Sequence, residues 1–468
     1  MGDRGTLNLS LYLANSRKDV DVARPLARNA AASNPTSVVD TYLPASGNTG
    51  YRVSRYDLDL NYRVSTNRLE ATTTITAVST EGLARYSLDL ASSLRVSKVR
   101  VNGAVPGKFS HKDGKLRITP RNPVPAGAPV VTEVKYSGRP RPVSNQFGAI
   151  GWEELTDGVL TANQPNGAPT WFPCNDHPSA KASYRISVTT ESTYAALSNG
   201  TLRSRKTHAG TTTWVYEQPE PMSTYLATIQ IGSYTLHDVS PSPVRLRTAV
   251  PPSLRSNFDN DFARQRRMLK VFTKLFGPYP FSGGYSVVVT EDPLEIPLEA
   301  QCVSVFGSNH CDGKRRSERL IAHELAHQWF GNSVTAAQWS DIWLHEGFAC
   351  YAEWLWSESS DGPTAKEWAR HYWEKLKKEP QDLLLADPGS KRMFDDRVYK
   401  RGALTLHALR TRIGDDAFFA LLQDWANRYR HSIATTDDFT GLAALYSSES
   451  LLDLWNDWLM STPLPDLP

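Results

Sequence analysis

The first half of the chain consists of short segments in which apolar and polar residues alternate. Between about residues 50 and 235, the turn residues Gly, Asn and Pro separate these segments. Alternation with a period of two is typical of strands that bury one face, and a series of such strands indicates antiparallel sheets packed as a sandwich or an open barrel. The predicted strands are 51–62, 70–78, 94–101, 115–118, 130–136, 184–189 and 211–216.

The period changes after about residue 240. A proline-rich stretch at 241–252 is followed by apolar residues that recur at helical spacing over 257–276. One strand is expected at 285–290, and nearly every later segment has the period of an amphipathic helix. The predicted helices are 316–331, 340–358, 364–378, 399–412, 415–430 and 449–460. The second half is therefore expected to be mainly α-helical.

These patterns divide the 468 residues into three parts. Residues 1–38 carry no clear period and are expected to form an N-terminal extension. Residues 39–240 are predicted to form a β-sandwich domain, and residues 241–468 a mainly helical domain. The expected fold class is thus multidomain α+β, with an antiparallel β-sandwich first.

Composition narrows the classes of partner. The formal net charge of +3 is too small to supply the basic field that nucleic-acid binding usually needs, so no nucleic-acid partner is expected. No apolar run approaches the roughly 20 residues of a membrane-spanning helix, and the start of the sequence does not resemble a secretory signal. We therefore expect a soluble, cytoplasmic protein without a membrane partner.

The four cysteines are too few for a disulfide scaffold, and they include no CxxC pair. Reduced thiols are the default expectation. A bridge between Cys302 and Cys311, which are close in sequence, stays open as an alternative.

The strongest chemical signal is the segment HELAH, from His323 to His327, inside a run of helical period. At 100° per residue, two histidines four residues apart project from the same helix face and can bind one zinc ion, while Glu324 lies beside the metal-bound water. A pattern of five residues also occurs by chance on solvated helices. A third ligand is therefore needed to support a zinc site.

Glu346 is the candidate third ligand. It lies nineteen positions after His327, in the second turn of a helix expected to begin near Ser340. That spacing lets the chain finish one helix, reverse, and bring a carboxylate back to the metal. Two imidazoles and one carboxylate leave the fourth position of a catalytic zinc open for water. We therefore expect one Zn²⁺ per chain, bound by His323, His327 and Glu346.

The segments HELAHQWFGNSVT and WLHEGFACYAEW, which contain these residues, resemble the zinc aminopeptidases of the gluzincin clan, the family of aminopeptidase N and leukotriene hydrolase. The resemblance extends from about residue 40 to the last residue. It implies a saddle-like β-sandwich followed by a thermolysin-like catalytic domain, with Glu324 as general base and later proton shuttle. Only 69 residues follow Tyr399, so the chain resembles a short form without the C-terminal helical domain of larger members.

The same resemblance implies roles for three further residues. Tyr399, in VYKRGAL, matches the tyrosine that donates a hydrogen bond to the oxyanion of the tetrahedral intermediate. Glu299 matches the glutamate that binds the free α-amino group of a peptide, and Gln164, in NQP, matches a second amine anchor from the β domain. The implied activity is hydrolysis of the N-terminal peptide bond. Ile296 and Pro297 stand where the family has small residues, and a proline removes one backbone donor from the edge that pairs with a peptide.

Several alternatives stay open. A zinc endopeptidase would share the three ligands without needing an amine anchor, and epoxide hydrolysis is known in one branch of the family. A non-enzymatic peptide-binding module would predict a broken ligand set, whereas this set is intact. The far side of the expected open cleft is either exposed or closed by another subunit, so a homo-oligomer is one of the expected arrangements.

Three polar residues near the motifs receive other interpretations. His345 is expected to face away from the metal, because successive helical residues diverge by 100°. His177 is expected to be a turn residue, with a place at the border of the cleft near the Gln164 segment as the alternative. Asp341 is expected either to accept a hydrogen bond from a ligand histidine or to cap its own helix.

Overall fold

Long strands with one buried face build the first half of the chain. The structure, a computed structural model, describes residues 39–239 and 244–468, so the predicted extension 1–38 lies outside the described residues. In strand Tyr51–Arg63, Tyr56, Leu58 and Leu60 are buried, and the residues between them are partly or fully exposed. The predicted alternation is confirmed as the pattern of a sheet that faces the core on one side.

A seven-stranded sheet is the largest sheet of this half. Its neighbouring strands are antiparallel except for one parallel pair, Tyr51–Arg63 with Ala182–Glu191. In this sheet, the strand Thr201–His208 was not predicted from the sequence. It lies at one edge and has mostly exposed side chains. In sheet order the strands are Thr201–His208, Thr211–Met222, Ala182–Glu191, Tyr51–Arg63, Arg68–Ser79, Pro129–Gly138 and Leu94–Val101.

Two smaller sheets complete the β-sheet-rich domain. A three-stranded sheet packs on the seven-stranded sheet. Tyr86 of the smaller sheet contacts the ring of Tyr51, and its hydroxyl shares a 2.6 Å hydrogen bond with Thr132 of the larger sheet. Its strands, in order, are Tyr86–Asp89, Lys115–Thr119 and Lys108–Lys112. A five-stranded sheet has the order Ala195–Ser198, Ile229–Gly232, Gly158–Ala162, Gly148–Leu155 and Val143–Asn145. The expected packing of antiparallel sheets is confirmed.

The second half begins with a mixed five-stranded sheet, where the sequence predicted a single strand at 285–290. Its three central strands are parallel and its two edge strands antiparallel. In order the strands are Thr235–Val239, Leu246–Val250, Tyr285–Val289, Val303–Phe306 and Leu298–Ala300. Strand Thr235–Val239 precedes the expected domain boundary at residue 240, which stays a prediction. A parallel pair, Thr335–Ala336 with Ile433–Ala434, lies further along the chain.

Helices make up most of the chain after residue 306. The α-helices are α1 Arg255–Asp261, α2 Gln265–Phe276, α3 Glu318–Ala326, α4 Trp343–Ser359, α5 Ala365–Leu376, α6 Asp396–Ile413, α7 Asp415–Arg428, α8 Thr436–Ala443 and α9 Leu452–Trp458. Short 3₁₀ helices occur at Val64–Thr66, Ala168–Thr170, Thr224–Leu226, Pro252–Leu254, Ser308–His310, Trp339–Asp341 and Ala444–Tyr446. No helix in the described ranges is long and apolar enough to cross a membrane.

Two of the predicted helices differ from the structure, which also contains a further helix. The helix expected at 257–276 is two helices, α1 and α2, and α8 was not predicted. The helix expected at 316–331 ends at Ala326, because the chain reverses around Gly331, whose φ of 118° lies in the left-handed region that glycine tolerates. The reversal is closed by a 2.8 Å hydrogen bond from the Gly331 N–H to the Val334 carbonyl.

The cysteines of the structure are free thiols. Cys174, Cys302, Cys311 and Cys350 are all buried and unbridged. The reduced state is therefore confirmed, and the alternative of a bridge between Cys302 and Cys311 is wrong.

Helices α4 and α6 cross at a pair of glycines. A Cβ atom built on Gly347 would lie 2.8 Å from the Cα of Gly402, and a Cβ on Gly402 would lie 2.7 Å from the Cα of Gly347. Both distances are shorter than a van der Waals contact, so only glycine permits this approach of the two backbones. The crossing brings the first turn of α4, with Glu346, against the first turns of α6, with Tyr399.

We expect Gly347→Ala to destabilise the protein by about 1–3 kcal/mol, because the added methyl group forces the two helices apart. The measurement is the free energy of unfolding from a denaturant titration. Gly441→Ala is the matched control, since Gly441 lies in α8 with no atom within 4 Å of an added Cβ. This control should be unchanged or more stable by about 0.5–1 kcal/mol. Equal stability of both variants would contradict the proposed close crossing.

Candidate active site

The histidines of the HELAH motif lie at the end of α3. His323 is in the last turn of the helix, and His327 is the first residue beyond it. Both side chains are buried, and their ring centroids are 4.8 Å apart. The predicted placement of two imidazoles on one face is therefore confirmed.

Glu346 meets the two histidines from the facing helix. Its Oε2 lies 3.3 Å from Nε2 of His323 and 3.5 Å from Nε2 of His327. The three candidate ligand atoms all lie within 4.8 Å of one another, on buried side chains. Glu346 lies in the first turn of α4 and not in the expected second turn, because α4 begins at Trp343. Two imidazole nitrogens and a carboxylate oxygen facing one point match the donor set of a catalytic zinc site.

The outer nitrogen of each imidazole has a hydrogen-bond acceptor. Nδ1 of His323 lies 2.7 Å from Oε1 of Glu353, and Nδ1 of His327 lies 3.0 Å from the carbonyl oxygen of Phe330. These acceptors hold the Nδ1–H tautomer of each ring, which leaves both Nε2 atoms free to bind a metal. The ring orientations therefore fit the proposed cluster.

Glu353 is the partner of a candidate ligand that the sequence interpretation missed. Asp341, expected to support a ligand histidine or to cap its own helix, instead accepts hydrogen bonds from the N–H and hydroxyl of Thr436 at the start of α8. The expectation for Asp341 is therefore wrong. Glu353 lies seven residues after Glu346 on α4, which is two helical turns and the same face, so helical spacing could have identified it.

An arginine one turn before His323 on α3 pairs with Glu353. The Arg319 guanidinium donates to both carboxylate oxygens of Glu353, at 2.8 and 2.9 Å, and Glu353 is fully buried. Burial alone would raise the pKa of Glu353, but His323, Lys400 and Arg319 lower it to about 2. The Glu353 carboxylate is therefore charged in the folded protein at neutral pH.

The three candidate ligands stabilise one another's charges. Burial alone would lower the pKa of each histidine, but Glu346 and Glu353 raise that of His323 to about 9, and Glu346 and Glu299 raise that of His327 to about 10. Burial alone would raise the pKa of Glu346, and the two histidines hold it well below its usual range. The pocket therefore holds a carboxylate and favours positive charge beside it.

Glu324 and Glu299 form a second group with His327. Their ligand atoms lie within 4.8 Å of one another, with Glu324 buried and Glu299 partly exposed. The Oε2 atom of Glu324 is shielded from solvent and has no hydrogen-bond partner among the described residues. Burial raises the pKa of Glu324 to about 7. Burial also raises the pKa of Glu299, and His327 opposes that shift.

Tyr399 lies next to the candidate zinc ligands. It belongs to the first turns of α6, and its ring stacks on that of His323 with centroids 6.1 Å apart and planes 21° apart. The side chain is half-buried. Burial and the nearby carboxylate of Glu346 raise the pKa of Tyr399, so its hydroxyl keeps its proton and can donate it in a hydrogen bond.

Gln164 follows the strand Gly158–Ala162 in the β-sheet-rich domain. Its Nε2 is shielded from solvent and has no hydrogen-bond partner in the part of the chain that the structure describes. The neighbouring Asn163 donates to the carbonyl of Ala227, and Gln301, two residues after Glu299, donates its N–H to the carbonyl of Leu226 at 3.4 Å. Gln164 and Glu299 therefore lie on segments that both contact the chain at 226–227.

The remaining histidines near the motifs have structural partners. Nε2 of His345 accepts the N–H of Ala336 at 2.7 Å, so the ring faces away from the candidate ligands as expected. Nδ1 of His177 is bonded to the hydroxyl of Ser179 at 2.7 Å. Both rings are buried.

Two domain families match this chain. The Peptidase M1 N-terminal domain matches residues 53–226, which cover most of the β-sheet-rich domain. The Peptidase family M1 domain matches residues 299–458, which contain both candidate ligand segments and Tyr399.

Curated relatives carry aminopeptidase names. The leucyl aminopeptidase of Saccharolobus solfataricus is 24% identical over 444 residues, which are 88% of this chain and 54% of that protein. Aminopeptidase M1-D of Oryza sativa is 26% identical over 419 residues, which are 83% of this chain and 47% of that protein. The chain thus spans about half the length of the curated relatives that it matches.

A solved structure matches over almost its whole length. The M1 zinc metallopeptidase from Deinococcus radiodurans has a TM-score of 0.84 and 29% identity, and the match covers 92% of this chain and 98% of that chain. A glutamate-to-alanine mutant of that protein, bound to the substrate Tyr-Ser-Ala, matches with a TM-score of 0.85. A related structure, described as a two-domain M1 zinc metallopeptidase, is covered to 99%. The chain therefore belongs to peptidase family M1, the zinc aminopeptidase family that its motifs resemble.

Proposed function

We propose that this chain is a zinc aminopeptidase, which removes the first residue from peptides with a free N-terminus. The observation that carries the proposal is the buried convergence of His323, His327 and Glu346, with the unpartnered carboxylate oxygen of Glu324 nearby. The aminopeptidase names of its relatives and the Tyr-Ser-Ala complex of the Deinococcus protein support this substrate class. We propose one Zn²⁺ per chain at the three converging side chains.

Zinc bound there would polarise the carbonyl of the scissile bond and lower the pKa of a bound water. The protein's own contribution is to hold the ligands in place before the metal arrives. Glu353 and the Phe330 carbonyl fix the rings of His323 and His327, so little rearrangement is needed on binding.

Glu324 is the proposed general base. Because its Oε2 is buried without a partner among the described residues, the oxygen is free to accept a proton from the attacking water. The same carboxyl group then delivers that proton to the departing amino group. Tyr399, beside His323, donates its hydroxyl hydrogen to the oxyanion that forms on the substrate carbonyl.

Glu299 and Gln164 are the proposed anchors for the substrate's α-ammonium group. The partly exposed Glu299 carboxylate lies within 4.8 Å of the Glu324 and His327 ligand atoms, which is close enough to hold the first residue of a peptide beside the site of attack. The amide oxygen of Gln164 would accept a second hydrogen bond. Anchoring of the chain end restricts cleavage to the first peptide bond.

We expect Glu324→Gln to retain zinc but to lower kcat for an amino-acid anilide by about 10²–10⁴-fold, because the amide cannot accept the proton. Zinc content by atomic absorption and initial rates of anilide hydrolysis are the two measurements. Undiminished turnover with zinc bound would remove Glu324 from its assigned role. As a substrate control, the wild type should cleave a free peptide much faster than its N-acetylated form. Equal rates on both peptides would indicate an endopeptidase instead.

We expect Glu353→Gln to weaken zinc binding by about 10–100-fold, because the neutral amide is a poorer acceptor for the Nδ1–H of His323. The dissociation constant is measured by competition with a chromogenic chelator. Glu358→Gln is the matched control, since Glu358 lies on the same helix and accepts the N–H of Ala365. The control should keep wild-type affinity. An unchanged dissociation constant for Glu353→Gln would show that this carboxylate does not support the metal site.

A further inference from the structure

The hairpin that carries Glu299 turns through a strained residue. Strands Leu298–Ala300 and Val303–Phe306 are antiparallel neighbours, joined by Gln301 and Cys302. Cys302 has φ 67°, in the left-handed region that non-glycine residues rarely adopt. A conformation of this kind persists only where surrounding contacts hold it.

Gln328 supplies two of these contacts. It directly follows His327, and it is fully buried. Its Oε1 accepts the N–H of Cys302 at 2.8 Å, and its Nε2 donates to the carbonyl of Ala300 at 3.2 Å. One side chain next to a candidate zinc ligand therefore binds both sides of the strained turn.

Asn332 supplies a third contact from the chain reversal after α3. Its Nδ2 donates to the same Ala300 carbonyl at 3.0 Å, while its own backbone carbonyl accepts from the ammonium group of Lys181 at 3.1 Å. From the β-sheet-rich domain, Asn199 donates to the carbonyl of Gln301 at 2.8 Å. The turn is thus held from both domains.

Before the strand, the chain has one exposed apolar residue followed by a buried proline. Ile296 is 63% exposed, and Pro297 has no N–H to donate. The amide contacts at Ala300 and Cys302 therefore add to the pairing of the Glu299 strand with Val303–Phe306. They also tie that strand directly to the segment that contains His327.

We propose that Gln328 and Asn332 are positioning residues that set the distance from Glu299 to the zinc ligands and so align the substrate's free amine. This inference rests on the proposed role of Glu299 as the amine anchor. Neither amide touches the substrate in this account. Each acts through the backbone of the Glu299 hairpin.

A double-mutant cycle tests the proposal with a leucine anilide as substrate. Gln328→Met keeps the length of the side chain but removes its donor and acceptor. We expect kcat/KM to fall by roughly 10- to 100-fold, mainly through KM, because the anchor is misplaced. Zinc content should be unchanged. In a Glu299→Ala background, the same substitution should change kcat/KM by less than about twofold, since the anchor is already absent.

The matched control is Gln230→Met. Gln230 is also fully buried, and its amide donates to Thr228 within the β-sheet-rich domain. This control should change kcat/KM by less than about twofold in either background. A loss equal to that of Gln328→Met would indicate a general effect of removing a buried amide, and would overturn the proposal.

The single and double variants separate the possible failures. If Glu299→Ala leaves kcat/KM unchanged, the amine anchor is wrong and the inference fails with it. If Glu299→Ala lowers kcat/KM but Gln328→Met keeps its full effect in the double variant, the anchor stands and the positioning role is overturned. If Gln328→Met does not fold, Asn332→Ala is tested instead. This variant keeps the backbone carbonyl that binds Lys181, and its effect on kcat/KM should likewise disappear in the Glu299→Ala background. Loss of zinc from either folded variant also overturns the proposal.

Discussion

Charge compensation among buried groups is the constraint on which the site depends. Ionised side chains are unfavourable in a protein interior unless they are paired or bind a metal. Glu346 lies between His323 and His327, and the outer nitrogens of the two rings bond to Glu353 and to the Phe330 carbonyl. The network ends at the partly exposed guanidinium of Arg319, which pairs with Glu353. This chain of partners explains how three ionisable groups can converge away from water.

Glu324 differs from its neighbours in this network. Its Oε2 has no partner among the described residues, although it is buried in the same pocket. An unsatisfied buried oxygen is unfavourable for stability, and such groups tend to occur where a ligand or reactant completes the bonding. Within this pocket, the unpaired atom is therefore Oε2 of Glu324, to which we assign the proton transfer.

The fold brings these groups together from distant parts of the chain. The glycine crossing of α4 and α6 places Glu346 and Tyr399 on adjoining helices, and the mixed sheet brings the Glu299 hairpin to the end of α3. Lys181 braces this arrangement from the β-sheet-rich domain, since its ammonium group donates to the carbonyls of Asn332, Ser333 and Ser432. The β-sheet-rich domain therefore supports the chain reversal that follows the HELAH motif.

Sequence patterns predict the long elements and the central chemistry of this protein. Strands of ten or more residues show a clear alternation, whereas the eight-residue strand Thr201–His208 does not. The spacing of His323, His327 and Glu346 is enough to predict the metal site. Strands of three to five residues, such as Leu298–Ala300, are too short to show a period, so most of the mixed sheet was not predicted. The left-handed Cys302 and the amide contacts of Gln328 depend on tertiary packing, which leaves no local pattern. The extension, the oligomeric state and the cytoplasmic location stay predictions.

The most direct test of the account is anomalous diffraction at the zinc absorption edge from crystals grown with zinc. We expect one strong peak per chain, about 2.0–2.2 Å from Nε2 of His323, Nε2 of His327 and a carboxylate oxygen of Glu346. A peak elsewhere, or three separated side chains with no peak between them, would contradict the account.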